Sequence, residues 1–156
     1  MEKMFVFLFG FRVALKSLHC PGCQNFSIWD FDGGKEFTPQ VMTEILQAIS
    51  ANGITRNFSV LGGEPLCDEN IFLTTLVIQE VRKAYPNINI YLWTGYTYED
   101  LIKRNNPHLT YILNSINYLI DGPFILAERD ITLKLRGSRN QRILKKEGNQ
   151  FLPIES

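Results

Sequence analysis

The sequence contains little of what marks disulfide-stapled, membrane-spanning or nucleic-acid-binding proteins. Three cysteines in 156 residues are an odd and small number, which argues for reduced thiols in a cytoplasmic protein. The 16 Lys and Arg residues balance 16 Asp and Glu residues, so no net charge attracts nucleic acid or an anionic membrane. The apolar run at residues 4–9 is far shorter than the roughly 20 residues of a membrane-spanning helix, which favours a buried strand. We therefore expect a cytoplasmic protein with neither nucleic acid nor membrane as a partner.

The composition is that of a compact globular domain. The chain is 45% hydrophobic and 21% charged, and no repeat or low-complexity tract interrupts it. Folding at this length buries roughly 70% of the surface of the unfolded chain, so a core forms without disulfides. We expect residues 1–156 to form a single domain.

Short apolar segments alternate with amphipathic ones along most of the chain, as in α/β proteins. The tail, residues 126–156, has a weaker pattern and is predicted to be irregular. Strands joined by helices imply a mostly parallel sheet. Strands are predicted at residues 4–9, 58–61, 88–93 and 116–120, and helices at 39–49, 73–84 and 97–102.

Three loops are expected to meet at one edge of this sheet. They begin near Gly62, Thr94 and Asp121, each directly after a predicted strand. Ligands of parallel α/β sheets bind at the carboxyl ends of the strands. The pattern therefore predicts a shared site at this edge.

Cys20 and Cys23 form a Cys-x-x-Cys pair after the first predicted strand. The Pro-Gly turn between them directs both sulfurs the same way, as metal chelation or disulfide exchange requires. A zinc site needs four ligands, and the remaining candidates, His19, Cys67 and His108, have no zinc-finger spacing. By itself the pair leaves metal binding and redox chemistry open.

Gly62, Gly63 and Glu64 lie in a loop at the end of a predicted buried strand. Two glycines let the backbone approach a ligand closely, and a carboxylate beside them can pair with an ammonium group. Alone, such a segment is usually only a turn. Its place at the same sheet edge as the cysteine loop favours a binding site.

Five segments, here called the first to fifth signatures, resemble one family. The chain resembles the radical S-adenosylmethionine enzymes, and most closely the activating proteins of the anaerobic ribonucleoside-triphosphate reductase. The resemblance covers roughly residues 17–142, with the segments in the order and spacing of that family. They are SLHCPGCQN at 17–25 with Trp29-Asp30 after it, GGEPL at 62–66, LWTGY at 92–96, IDGPF at 120–124 and RGSRNQR at 136–142.

The resemblance implies a partial, open (β/α) barrel and a defined chemistry. In the family, a [4Fe-4S] cluster passes one electron to S-adenosylmethionine, and the 5′-deoxyadenosyl radical so formed takes a hydrogen atom from a glycine of the reductase. The implied partners are the glycyl-radical subunit of that reductase and an electron donor such as a flavodoxin. On matching positions, Cys20 and Cys23 would be cluster ligands. The residues implied to contact S-adenosylmethionine are Gly22, Cys23, Gln24, Gly62, Gly63 and Glu64, with Glu64 and the two glycines before it receiving its ammonium group.

Lys16 stands where the family's C-x3-C-x2-C pattern has its first cysteine. An ammonium has no lone pair to offer iron, and iron-sulfur clusters are held by thiolates. Either Cys67 substitutes as a ligand, or the cluster is labile, or it does not form. Cys67 is more readily interpreted as a packed core residue. A deletion or a reading-frame error upstream of Ser17 would account both for Lys16 and for an atypical, truncated first strand in residues 1–16.

Two alternatives to the activating enzyme therefore stay open. One is a degenerate, catalytically inert relative that still binds the reductase, and the other is a small zinc-binding structural domain using Cys20, Cys23 and Cys67.

His108 is interpreted as a surface or capping residue. A basic tail, either a solvated face or a docking surface for an acidic patch of the reductase, contains Arg129, Lys134, Arg136, Arg139, Arg142, Lys145 and Lys146.

Overall fold

The computed structural model describes residues 3–7, 37–61 and 63–155, of which residues 3–7 are described by their backbone alone. Within these residues the protein is an α/β structure built on one six-stranded sheet with the strands in sequential order. The strands are β1 (Lys3–Phe7), β2 (Asn57–Leu61), β3 (Ile90–Trp93), β4 (Tyr118–Asp121), β5 (Arg142–Glu147) and β6 (Gln150–Pro153).

The first four strands run parallel, as their spacing along the sequence predicts. Phe7 lies opposite Leu61, and Val60 opposite Leu92, so the carboxyl ends of β1, β2 and β3 meet at one edge. Trp93 lies opposite Ile120, which brings the end of β4 to the same edge. The loops that carry the second, third and fourth signatures therefore leave the sheet side by side.

Four α-helices connect or flank these strands, and their starts follow from local sequence. They are α1 (Pro39–Ile49), α2 (Ile71–Ala84), α3 (Tyr98–Lys103) and α4 (Pro107–Ser115). The Thr38 hydroxyl accepts from the amide of Val41 to cap α1, and Pro39 occupies its first turn. Helix α4 was not expected. Its start combines the same two signals, since Asn106 caps it and Pro107 follows.

The prediction of an irregular tail is wrong from Arg142 onward. Strands β5 and β6 form a hairpin around Gly148, whose φ of 62° suits a tight turn. Strand β5 pairs antiparallel with β4. Ile143 and Leu144 are both buried although they point to opposite faces, so the strand has no alternating pattern to detect.

The sheet is therefore mixed, and its described strands make three parallel and two antiparallel pairings. Among the residues that the structure describes, β1 and β6 form its two edges, and the sheet is open. The expectation of a mostly parallel sheet holds only for β1 to β4.

The two faces of the sheet are covered differently. The larger apolar cluster joins one face to the helices, with Phe58, Leu92 and Ile78 among its fully buried members. The opposite face has a smaller cluster in which the Tyr91 and Tyr118 rings stack at 4.5 Å between centroids. Burying each large apolar side chain contributes about 1.5–3 kcal/mol, so the helix face contains most of the stabilising burial.

A search of the described helices for a membrane span found none of sufficient length and apolar character.

Candidate functional site

The second signature is a turn fastened to the start of α2. The side-chain amide of Asn70 donates to the carbonyl oxygen of Glu64 at 2.9 Å, and the Thr74 hydroxyl donates to that of Pro65 at 2.8 Å. Asn70 and Thr74 are both buried. Helix α2 therefore determines the backbone path of this loop.

The Glu64 carboxylate ties the second signature to the third. Its Oε1 accepts from the amide of Leu66 at 3.1 Å and from the Thr94 hydroxyl at 2.7 Å. Its Oε2 accepts from the amide of Gly95 at 2.7 Å. Glu64 is 2% exposed, so these three donors replace the water that the carboxylate loses on folding. The loop after β2 and the loop after β3 are thereby held as one unit.

Burial raises the pKa of the Glu64 carboxyl above its ordinary value of 4.5. The hydrogen bonds from Thr94, Gly95 and Leu66 oppose this rise, as does the positive charge of Arg104. Arg104 is itself placed by the site, because its guanidinium donates to the Leu66 carbonyl oxygen and pairs with Asp68 at 2.8 Å.

The third signature is joined in turn to the fourth. The amide of Thr94 donates to the Ile120 carbonyl oxygen at 2.9 Å, which extends the pairing of β3 and β4 by one residue. The amide of Gly122 donates to the carbonyl oxygen of Tyr96 at 2.9 Å. Three of the five signatures thus form one continuous network at the carboxyl edge of the sheet.

Asp121, at the end of β4, is the second buried carboxylate at this edge and is 1% exposed. It accepts from the amide of Tyr98 at 2.8 Å, at the start of α3. Arg142 donates to both of its oxygens and to both oxygens of Glu99. The Arg142 hydrogen bonds lower the pKa of Glu99. Asp121 is therefore an anchor between α3, β4 and β5.

The fifth signature packs on the fourth through its amide side chains. Asn140 donates to the Pro123 carbonyl oxygen at 2.7 Å, and Gln141 donates to that of Gly122 at 3.0 Å. The Gln141 side-chain oxygen also accepts from the amide of Gly137 at 2.9 Å. The network therefore includes the second to fifth signatures.

Cys67 lies inside the turn that opens α2 and is 2% exposed. Burial raises the pKa of its thiol from 9.0 to about 11, with nearby Glu69 and Glu64 adding to the rise. A metal ion would have to displace the proton of this buried thiol, because metal binding requires a thiolate. Within residues 3–7, 37–61 and 63–155, no group of three or more Cys, His, Asp or Glu side chains could hold a metal ion.

The structure brings together only some of the predicted site residues. Gly63 is half-buried and Glu64 buried, both in the second signature. The predicted residues Cys20, Gly22, Cys23, Gln24 and Gly62 lie outside the described residues, as does Lys16. His108 is exposed near the start of α4, with its ring edge-on to Phe72, and it is distinct from this network.

Two residues of the network were missed by sequence reasoning. Asn70 supports the second signature through its side-chain amide, and Arg104 contacts the same loop across 38 residues of sequence. An asparagine before a helix is a recognisable signal for a cap, although here its side chain supports the loop instead. No pattern in the sequence points to Arg104.

Comparisons with known proteins found one family model and several relatives. Residues 8–144 match the family model described as "4Fe-4S single cluster domain". The anaerobic ribonucleoside-triphosphate reductase-activating protein of Escherichia coli (strain K12) is 34% identical over 123 residues, covering 78% of this chain and 77% of that protein. The proteins of the same name from Vibrio cholerae and Enterobacteria phage T4 are each 34% identical, over 125 and 140 residues, covering 80% and 86% of this chain and 78% and 83% of their own. No significant match to a solved structure was found.

Proposed function

The chain belongs to the 4Fe-4S single cluster domain family and, within it, to the anaerobic ribonucleoside-triphosphate reductase-activating proteins, and we propose that it generates the glycyl radical of that reductase. The proposed reaction is the reductive cleavage of S-adenosylmethionine. The proposed target is the glycyl-radical subunit of the reductase, and the electron donor is a small redox protein such as a flavodoxin. We place this chemistry in the cytoplasm.

The hydrogen bonds of Glu64 at the carboxyl edge of the sheet are the observation on which the proposal rests. The Glu64 carboxylate joins the loop after β2 to the loop after β3 at the edge where parallel α/β sheets bind ligands. Phe7 of β1 lies opposite Leu61 of β2, so β1 ends at this same edge, and the cysteine motif follows β1 in the sequence. The sequential order of β1 to β4 is also the strand order of a (β/α) barrel, which supports the proposed partial barrel.

The proposed cofactors are a [4Fe-4S] cluster, with Cys20 and Cys23 as its protein ligands, and S-adenosylmethionine. When bound, they supply an electron to the sulfonium and a 5′-deoxyadenosyl radical that removes a hydrogen atom from a glycine of the reductase. Burial and the raised pKa of its thiol disfavour Cys67 as a third ligand, because a metal would have to displace a proton from a buried group. We therefore propose a cluster held by Cys20 and Cys23, without Cys67.

Glu64 fits the family's methionine-binding loop as a positioning residue. Three protein donors already occupy its two oxygens, which leaves a carboxylate about one further acceptor position. We propose that the backbone of Gly62 and Gly63 meets the ammonium group, and that Glu64 holds this backbone against β3. The proposed contacts of Gly22, Cys23 and Gln24 with the cofactor complete the site.

Anaerobic reconstitution with iron and sulfide tests the function. A protein that binds about four irons per chain and releases 5′-deoxyadenosine with a reductant supports the enzyme. Zinc in the purified protein would support the structural domain, and absence of any metal the inert relative. Cys20→Ser and Cys23→Ser are expected to lose the iron, whereas Cys67→Ser, the matched control, keeps it.

Lys16→Cys tests whether the lack of a cysteine at position 16 is what limits the stability of the cluster. It restores the third thiolate, so we expect a cluster that keeps its iron on dilution for longer than the cluster of the wild-type protein. Iron content and visible absorption of the two proteins, followed side by side after dilution, check this. Equal rates of iron loss would point instead to the atypical stretch that precedes Ser17.

A further inference from the structure

Residues 122–141, here called the braced loop, are held by hydrogen bonds from one end to the other. At its base Asn140 and Gln141 bind the backbone of Pro123 and Gly122. In its middle the Ser138 hydroxyl accepts from the amide of Ile125 at 3.2 Å and donates to Asn140 at 2.6 Å. Ser138 has no exposed surface. A loop with this many internal bonds is ordered before any partner arrives.

Backbone contacts join residues 128–130 to residues 137–139, the two segments on either side of the loop tip. Arg129 and Ser138 form an antiparallel bridge. The amide of Asp130 donates to the Gly137 carbonyl oxygen at 3.1 Å, and that of Arg139 donates to the Glu128 carbonyl oxygen at 2.9 Å. The tip between these two segments therefore has one defined conformation.

The tip contains a left-handed leucine. Leu135 has a φ of 62°, a region that costs a residue with a Cβ about 1–2 kcal/mol. Its carbonyl oxygen accepts from the indole nitrogen of Trp93 at 2.6 Å. Backbone strain of this kind persists where the surroundings enforce it, and it is concentrated at functional sites.

The outer surface of the braced loop is apolar and positively charged. Ile131 is 85% exposed, Leu126 48% and Ile125 39%. Three exposed cations lie among them, namely Arg129, Lys134 and Arg139. Within the part of the chain that the structure describes, none of these three makes an ion pair.

The other four basic residues of the tail have partners within the protein. Arg142 is held by Asp121 and Glu99, and Arg136 donates to the Gln141 carbonyl oxygen at 2.9 Å. Lys146 donates to the Leu113 carbonyl oxygen at 2.8 Å, and the exposed Lys145 lies 4.0 Å from the Glu147 carboxylate. The docking surface suggested by the sequence therefore narrows to the three exposed cations of the braced loop.

The braced loop contains two acids, Glu128 and Asp130, beside those three cations. The Asp130 carboxylate accepts from the amide and the hydroxyl of Thr132, and these bonds, together with the positive charge of Arg139, lower its pKa. The three exposed cations outnumber the two acids of the loop. Three exposed cations around exposed aliphatic side chains complement a protein surface that is acidic at its rim and apolar at its centre.

The braced loop is also connected to the candidate site. Trp93, which binds Leu135, immediately precedes Thr94 and Gly95, the two residues that hold Glu64. A partner seated on the loop would consequently lie beside the carboxyl edge of the sheet.

We propose that the braced loop docks an acidic, apolar-centred segment of the reductase and so places it at the site. This inference rests on the proposed function for the identity of the partner. Ile131 supplies the central apolar contact, and Arg129, Lys134 and Arg139 supply the charges around it.

The test measures the affinity of the full-length protein for the purified reductase. Arg129→Glu/Arg139→Glu is compared with Lys83→Glu/Lys103→Glu, which makes the same charge change at exposed lysines of α2 and α3. We expect the loop variant to raise the Kd at least about 10-fold at low salt and the control to change it less than about 2-fold. Added salt should narrow the difference, because screening weakens exposed charge pairs. Ile131→Asp should raise the Kd at least about 10-fold at every salt concentration.

Unfolding in urea shows whether each variant is folded, and only folded variants are compared. Equal Kd values for the loop variants and the control overturn the inference, as does a wild-type protein that does not bind the reductase. Loss of binding to a single-stranded RNA without loss of reductase binding would also overturn it. The proposed function fails separately, when reconstituted wild-type protein releases no 5′-deoxyadenosine with or without the reductase.

Discussion

The carboxylate of Glu64 accepts a hydrogen bond at 2.7 Å from the amide of Gly95, which lies 31 residues further along the chain. This bond and that of Thr94 connect two loops that the sequence presents as separate motifs. Because Glu64 is 2% exposed, bulk water does not readily take the place of its carboxylate as the acceptor for these donors.

Glu64→Ala should be one of the most destabilising substitutions at the site. It leaves the amides of Leu66 and Gly95 and the Thr94 hydroxyl without their acceptor, and each buried unsatisfied group costs about 1–3 kcal/mol. We expect a loss of about 3 kcal/mol in the free energy of unfolding, measured in urea. Glu44→Ala, on the exposed side of α1, should cost less than about 0.5 kcal/mol and is the control.

Arg142→Ala should destabilise the protein mainly through Asp121. It removes the cation from a carboxylate that is 1% exposed and leaves Tyr98 as its donor among the described residues. Breaking such a pair costs about 3–5 kcal/mol when both partners are buried, and Arg142 is partly exposed, so we expect about 2–3 kcal/mol. Glu99→Ala should cost under about 1 kcal/mol, because Glu99 is exposed. Equal costs for the two variants would contradict this account.

Gly137→Ala should strain the contact between the fourth and fifth signatures. A Cβ at Gly137 would lie 3.1 and 3.2 Å from two ring carbons of Phe124, closer than ordinary contact. Overpacking of this kind costs about 1–3 kcal/mol. In a Phe124→Leu background the cost of Gly137→Ala should shrink, and a double-mutant cycle of unfolding free energies measures the coupling. An unchanged cost in that background would show that the ring is not the cause.

Cys67 should react slowly with alkylating reagents. With its thiol pKa raised from 9.0 to about 11, the thiolate fraction at pH 8 is about 100-fold lower than in the unfolded chain, and burial slows the reaction further. Labelling of a Cys20→Ser/Cys23→Ser protein, with and without urea, measures the ratio. Fast labelling of the folded protein would show that Cys67 is accessible.

The same raised pKa makes stability depend on pH. The folded protein holds the Cys67 proton more tightly than the unfolded chain, so this contribution is complete below pH 9 and is lost as the pH rises through about 11. Unfolding free energies between pH 8.5 and 11 should therefore decrease more steeply in wild-type protein than in Cys67→Ala. Parallel pH profiles would contradict the prediction.

Local signals predicted the first part of the fold well. The Thr38 cap and the Asn52-Gly53 stop bracket α1, and the apolar segment at residues 58–61 is nearly the whole of β2. Helix α4 and the β5–β6 hairpin were missed. In β5 the two buried residues, Ile143 and Leu144, are adjacent and serve opposite faces, so neither a helical nor an alternating period is visible.

For the candidate site, the sequence predicted that Glu64 and the strand end at Thr94 belong together. Its assignment of Glu64 to a ligand stays a prediction, and the structure adds that the carboxylate accepts from Leu66, Thr94 and Gly95. Which donor a carboxylate finds depends on the register of β2 beside β3, and no local pattern encodes that register.

The amino-acid sequence by itself determined the family, the alternation of strands and helices, and the missing cysteine at position 16, because these depend only on the order and spacing of residues. Tertiary structure decided that Glu64 and Asp121 anchor loops and that Cys67 is buried in the core. It also decided that three of the seven basic tail residues, Arg129, Lys134 and Arg139, remain exposed without an ion pair among the described residues. Burial, charge pairing and the choice of hydrogen-bond partners arise only when distant segments are packed together.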